Sequence, residues 1–146
     1  MNIKKVFAFI IFFSLNFNSI QALEPDVFIQ STVNRASQIL SKNISKKEKM
    51  HKLEIIAKET VDINGIGFYS LGSKRKELDE KQKKRYLELF EGYFLKSFSS
   101  RLAEYTNPEI EVKDKKILNK NYTIVNSLLL GTSERPEVKI DWRIYT

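Results

Sequence analysis

Cysteine is absent from the 146 residues, and histidine and tryptophan occur once each. Without cysteine the chain has no disulfide and no thiolate chemistry. A zinc site built on histidine and cysteine is excluded by count. His51 lies in Lys46-Lys47-Glu48-Lys49-Met50-His51-Lys52, a solvated run offering no orienting partner, so it reads as a surface residue rather than a general base. The five glycines spell no dinucleotide fingerprint, P-loop or nucleophile elbow. The 18 acidic residues form neither a metal-loop spacing nor an acid/base pair. Asp62, beside a glycine break, reads as a helix-end or turn residue. No catalytic residue, metal ligand or cofactor is expected: the chain is read as a binder and not as an enzyme.

What is present begins with an export pattern. Lys4 and Lys5 precede the apolar run Val6–Phe13, and Ser19-Ile20-Gln21-Ala22 places small or apolar residues where a signal peptidase cuts. The run is far shorter than the roughly 20 residues of a spanning helix. Residues 1–22 are therefore expected to be a cleavable signal peptide, leaving residues 23–146 as one domain with a single core. Loss of Lys4 and Lys5 lowers the formal charge from +7 to +5. That balance suits an anionic membrane surface or an acidic partner, and export argues against nucleic acid. A small exported domain without disulfides points to a protected space such as a bacterial periplasm.

The first half has helical periodicity. After Pro25, the residues Val27, Ile29, Val33, Ala36 and Leu40 recur at spacings of two to four, so most fall on one face. Ser45 and Glu48 form a capping-box pair opening a second helix, with Met50, Leu53, Ile56, Ala57 and Val61 on its apolar side. Asn64, Gly65, Gly67 and Gly72 interrupt the pattern, leaving room for one short helical turn at Phe68-Tyr69-Leu71. Asp79 and Gln82 offer a second capping box for a long helix to about Tyr105.

From Glu109 the period becomes alternating. Ile110 and Val112 suggest a strand, Asp114–Lys116 a turn, Ile117-Leu118 a second strand, and Asn119–Asn121 another turn. Tyr122–Leu130 has apolar residues on both faces and reads as a strand covered on both sides. Val138, Ile140, Trp142 and Ile144 alternate with polar positions, as in a half-buried strand. Helices followed by strands predict an α+β domain, with N-terminal helices packed on a C-terminal antiparallel sheet. Six of the twelve aromatics outside the leader lie on the long helix, compatible with an ordinary core or with an apolar cavity between that helix and the sheet. The basic clusters Lys74-Arg75-Lys76 and Lys81–Arg85 read as solvated faces or as docking points for anionic headgroups or an acidic partner.

The order of motifs resembles the MlaC-like, toluene-tolerance family of periplasmic phospholipid-binding proteins. The resemblance rests on Asp62 with Leu71-Gly72, on Gln82 with Phe90 and Phe94 and then Leu102 and Tyr105, on Val125-Asn126-Ser127, and on Val138–Arg143 with its Asp-Trp-Arg. Two features depart from it. Lys74-Arg75-Lys76 stands where the family often has tryptophan. Family members also continue past the Asp-Trp-Arg strand, so the chain is expected to lack roughly the last third of the domain. Trp142–Tyr145 can alternatively be matched to that later strand, but the short gap from Ser127 to Val138 favours the earlier one.

The resemblance implies a phospholipid carrier shuttling between an inner-membrane ABC-type lipid transport complex and an outer-membrane lipoprotein or porin complex. In that role it maintains outer-membrane lipid asymmetry. It also implies Phe68, Leu71, Phe90, Phe94, Leu102, Val125, Ile140 and Trp142 as candidate walls of the lipid cavity. The competing expectations are a hopanoid carrier, from a related branch, and a solid-core module that binds a protein or an envelope surface.

Overall fold

The structure, a computed structural model, describes residues 23–145 apart from Glu134. The expected leader lies outside these residues. Four α-helices, α1 (Pro25–Leu40), α2 (Lys46–Thr60), α3 (Ile63–Leu71) and α4 (Glu80–Leu102), precede three strands, β1 (Ile110–Asn119), β2 (Tyr122–Leu129) and β3 (Val138–Tyr145). The sheet is antiparallel in the order β1-β2-β3. This is the expected α+β arrangement.

Helix starts follow local chemistry. Pro25 opens α1, where its missing N–H is no loss. At α2 the Ser45 hydroxyl accepts from the Glu48 amide at 3.2 Å, while Glu48 reaches forward to Lys52, so the serine half of the box carries the cap. At α4 both halves form: Asp79 accepts from the Gln82 amide at 2.8 Å, and Gln82 accepts from the Asp79 amide at 3.0 Å.

Among the described residues, α1 is the helix that packs extensively on the sheet. α1 packs on β1 and β2, α2 on α1, α4 on α2, and α3 on α4, so the helical layer steps away from the strands. Ile29 and Val33 of α1 bury against Val125 of β2, with Phe28, Ile110, Val112, Trp142 and Ile144 around them. Each such aliphatic side chain contributes about 1.5–3 kcal/mol. A second cluster joins Ala57, Ile63 and Leu95 with Val61, Phe90, Phe94 and Phe98. Small residues let α2 and α4 approach: Ala57 and Ser99 are fully buried, and the Ser99 hydroxyl donates to Glu54. Lys58–Glu91 ties the rim of the same contact.

Three expectations are corrected. The glycine-interrupted stretch is not a break with a single turn but the nine-residue helix α3. Asp62 caps it, accepting from the Gly65 amide at 2.9 Å. Gly67 faces α4 so closely that a Cβ there would sit 3.0 Å from both Leu87 and Phe90, and this approach offsets the helix penalty of glycine. Gly72 ends the helix at φ 55°, a conformation only glycine adopts freely.

The two short strands expected around Asp114 are one strand, β1, whose register slips between Val112 and Lys115. An edge strand accommodates such a bulge and turns its charged residues outward. Finally, β2 is covered on one face only. Thr123, Val125, Ser127 and Leu129 are buried, whereas Tyr122, Ile124, Asn126 and Leu128 are half-buried, and no helix among the described residues packs over them.

Candidate functional site

The sequence motifs on β2 and β3 meet as one cross-strand unit. Val125 pairs with Trp142, Asn126 with Asp141 and Ser127 with Ile140. On the inner face, the Trp142 indole N–H donates to the Ser127 hydroxyl at 2.8 Å, which satisfies a group that apolar surroundings would otherwise leave unpaired. On the outer face, the Asn126 amide donates to Asp141 at 2.7 Å. The Val-x-Ser and Asp-Trp spacings are thus the two halves of a ladder that fixes the register and aims the indole inward.

A second apolar surface is the aromatic row of α4. Tyr86, Phe90, Phe94 and Phe98 recur every fourth residue and stack in sequence, with centroids 5.7, 6.1 and 5.7 Å apart. All four are half-buried. Gly67 sets α3 against the row, placing its backbone beside Phe90.

The two surfaces are tied at one end. Arg135, in the β2–β3 loop, lies 4.6 Å from the centre of the Tyr105 ring and pairs with Glu104 at 3.3 Å, both just past the end of α4. Beyond this tie, α4 has no extensive packing against the sheet, and the apolar clusters of α1–sheet and α2–α3–α4 stay separate.

The eight sequence-derived candidates fall on α3, α4, β2 and β3. Phe90 and Phe94 stand in the α4 row; Phe68 and Leu71 belong to α3, and Leu102 ends α4, all half-buried. Ile140 and Trp142 are half-buried on β3, and Val125 is fully buried under α1. Val125 thus lies on the same inner face as Trp142, packed under α1. Tyr86 and Phe98 were not among the candidates, although the four-residue spacing that links them to Phe90 and Phe94 is written in the sequence.

Two open depressions lie elsewhere. One of about 290 Å³ is lined by Asp26, Val27, Gln30 and the β1 bulge, and places Val27 at the surface rather than in the core. The other, about 560 Å³, is lined by polar residues of α1 and the following turn. At the first, Lys115 donates to Asp26 at 2.7 Å and to Glu24 at 2.8 Å, fastening β1 to the start of α1. The Lys115 hydrogen bond holds Asp26 below its ordinary pKa of 3.8, and Asp26 followed by Glu24 raises Lys115 above 10.5. His51 is exposed. Among the described residues no cluster of histidine and carboxylates could hold a metal ion, and no helix is long and apolar enough to cross a membrane.

A helical layer stepping off a three-stranded antiparallel sheet, with two half-covered apolar surfaces, defines a domain of the α+β class. The family model for MlaC protein matches residues 30–146, and the chain belongs to that family. Its fold is similar to a solved structure described as the phospholipid-binding protein from Ralstonia solanacearum in complex with a phospholipid. The TM-score is 0.67 at 12% identity, covering 84% of this chain and 71% of the other. No curated protein matches the chain.

Proposed function

We propose that the chain is a phospholipid carrier that holds acyl chains between the α4 aromatic row and the inner face of β3. The observation that carries this reading is the pair of half-covered apolar surfaces, tied at the Arg135 end and separate beyond it, in a member of the MlaC family. A lipid that spans them removes about 0.8 kcal/mol of unfavourable hydration per buried CH₂, and no covalent step is needed. Phe68, Leu71, Phe90, Phe94, Leu102, Ile140 and Trp142 contribute to the wall, with Val125 supporting it from under α1. In this reading residues 1–22 direct export and are cleaved, and residues 23–146 work in the periplasm. There the carrier moves lipid between an inner-membrane ABC-type complex and an outer-membrane complex. Because the gripped apolar area makes spontaneous escape slow, release is driven by a partner that favours an open state.

The test is Phe94→Asp in protein produced from the whole chain. A buried carboxylate beside acyl chains is strongly disfavoured, so lipid recovered by extraction falls to background while the far-ultraviolet spectrum stays helical. A folded variant that keeps its lipid removes Phe94 from the wall.

A further inference from the structure

The α3–α4 hairpin has a charged end whose cations the lipid-holding surfaces do not use. Residues 72–88 hold seven basic and four acidic side chains. Gly72–Lys76 forms a 3-10 turn, and α4 begins four residues later, so the turn and the first turns of α4 share one end of the molecule. Within that end Lys74 pairs with Glu77, Lys83 with Glu80 and Arg85 with Glu88. Arg75, Lys76, Lys81 and Lys84 have no acidic partner among the described residues and are all exposed.

Apolar side chains stand beside these charges without cover. Tyr69, on the last turns of α3, is 76% exposed, and Leu89, on the α4 ridge that carries Lys81 and Arg85, is 56% exposed. The two depressions described above are lined by residues of other parts of the molecule. Unpaired cations around exposed tyrosine and leucine match a flat anionic surface with an apolar layer beneath it.

We propose that the α3–α4 hairpin end is a membrane-docking surface for anionic phospholipid bilayers, separate from the surfaces that hold a lipid. Arg75, Lys76, Lys81 and Lys84 contact headgroup phosphates, and Tyr69 and Leu89 enter the interfacial zone. Docking is reversible, because each cation near an anionic surface strengthens binding only about fivefold and salt screens it.

Protein purified after expression of the whole chain is sedimented with vesicles of phosphatidylcholine containing about 30% phosphatidylglycerol, near 0.1 M salt. Two double variants with the same charge change are compared with wild type: Arg75→Glu with Lys84→Glu at the hairpin end, and Lys42→Glu with Lys47→Glu at the α1–α2 turn. Circular dichroism confirms that each folds. The hairpin variant is expected to lose at least about 25-fold in vesicle affinity and the control less than about fivefold. Equal losses overturn the proposal and assign binding to net charge. Failure of wild type to sediment with anionic vesicles also overturns it. Binding to polyglutamate as tight as to vesicles overturns it in favour of an acidic protein partner. Lipid content is read by extraction in the same samples, so an empty carrier that still docks separates the two claims.

Discussion

Replacing Phe94 and Leu53 by alanine separates a wall from a core. Leu53 is 1% exposed, and truncating an enclosed leucine costs about 3 kcal/mol through lost transfer energy and the cavity left behind. Phe94 is half-buried and touches the rest of its row through two stacking contacts, at 6.1 and 5.7 Å. Full burial of a phenylalanine is worth about 3–5 kcal/mol, so half of it, stacking included, leaves about 2 kcal/mol. In lipid-free protein, Leu53→Ala is therefore the more damaging change by about 1 kcal/mol in urea denaturation. For lipid retention the order reverses. A ring covering two or three methylenes at about 0.8 kcal/mol each weakens binding by about 2 kcal/mol, or roughly 30-fold, in Phe94→Ala. Leu53→Ala leaves retention near wild type wherever the protein is folded. The assay pairs urea melts of delipidated protein with the rate at which a fluorescent phospholipid leaves for acceptor vesicles. If Phe94→Ala destabilises lipid-free protein more than Leu53→Ala and leaves lipid transfer unchanged, the row is a closed core and the reasoning fails.

Three further outcomes are expected. Asp62→Ala removes the α3 cap and lowers stability by about 1 kcal/mol in denaturant melts; no change would mean that the Gly65 amide finds another acceptor. The hydrogen bond from Lys115 depresses Asp26, so its contribution is present above the ordinary pKa of 3.8 and is lost as pH falls through the lower folded value. The raised Lys115 contributes below 10.5 and loses this as pH rises through its folded value. The stability gap between wild type and Asp26→Asn is accordingly level from about pH 5 to pH 10 and closes at both extremes; a gap that persists in acid would place the effect elsewhere. Trp142 is the sole tryptophan and lies half-buried on β3, so removing lipid should shift its emission to longer wavelength. Ser127→Ala should cost about 1 kcal/mol by orphaning the indole N–H, and an emission maximum indifferent to lipid would take Trp142 out of the wall.

What could be read before folding differs from element to element. α1, α2, α4 and β3 were legible because a cap or proline and a regular apolar period coincide in each, as at Asp79–Gln82 before the Phe90–Phe94 spacing. α3 was not. Its glycines look like breakers until Asp62 caps the helix and the backbone of Gly67 is seen to be needed against Leu87 and Phe90. The β1 bulge was hidden for a related reason: Asp114–Lys116 has turn composition, and only the pairing of Lys115 with Asp26 and Glu24 shows why the strand carries on. The apolar residues on both faces of β2 suggested cover on both, but the pattern cannot say which face meets a helix. For the candidate site, the sequence named residues that lie on α3, α4, β2 and β3, and their depth could not be read from it. Val125 and Trp142 are cross-strand neighbours, yet α1 seals the first and leaves the second partly open.

The most direct test of lipid carriage is native mass spectrometry of the protein purified from the periplasm after expression of the whole chain, with extraction to identify any adduct. Lipid carriage predicts a folded species heavier by the mass of one phospholipid, which Phe94→Asp loses. A folded wild-type protein at its bare mass, unable to take up phospholipid or an apolar dye, would contradict it and identify a domain whose two apolar surfaces close on each other.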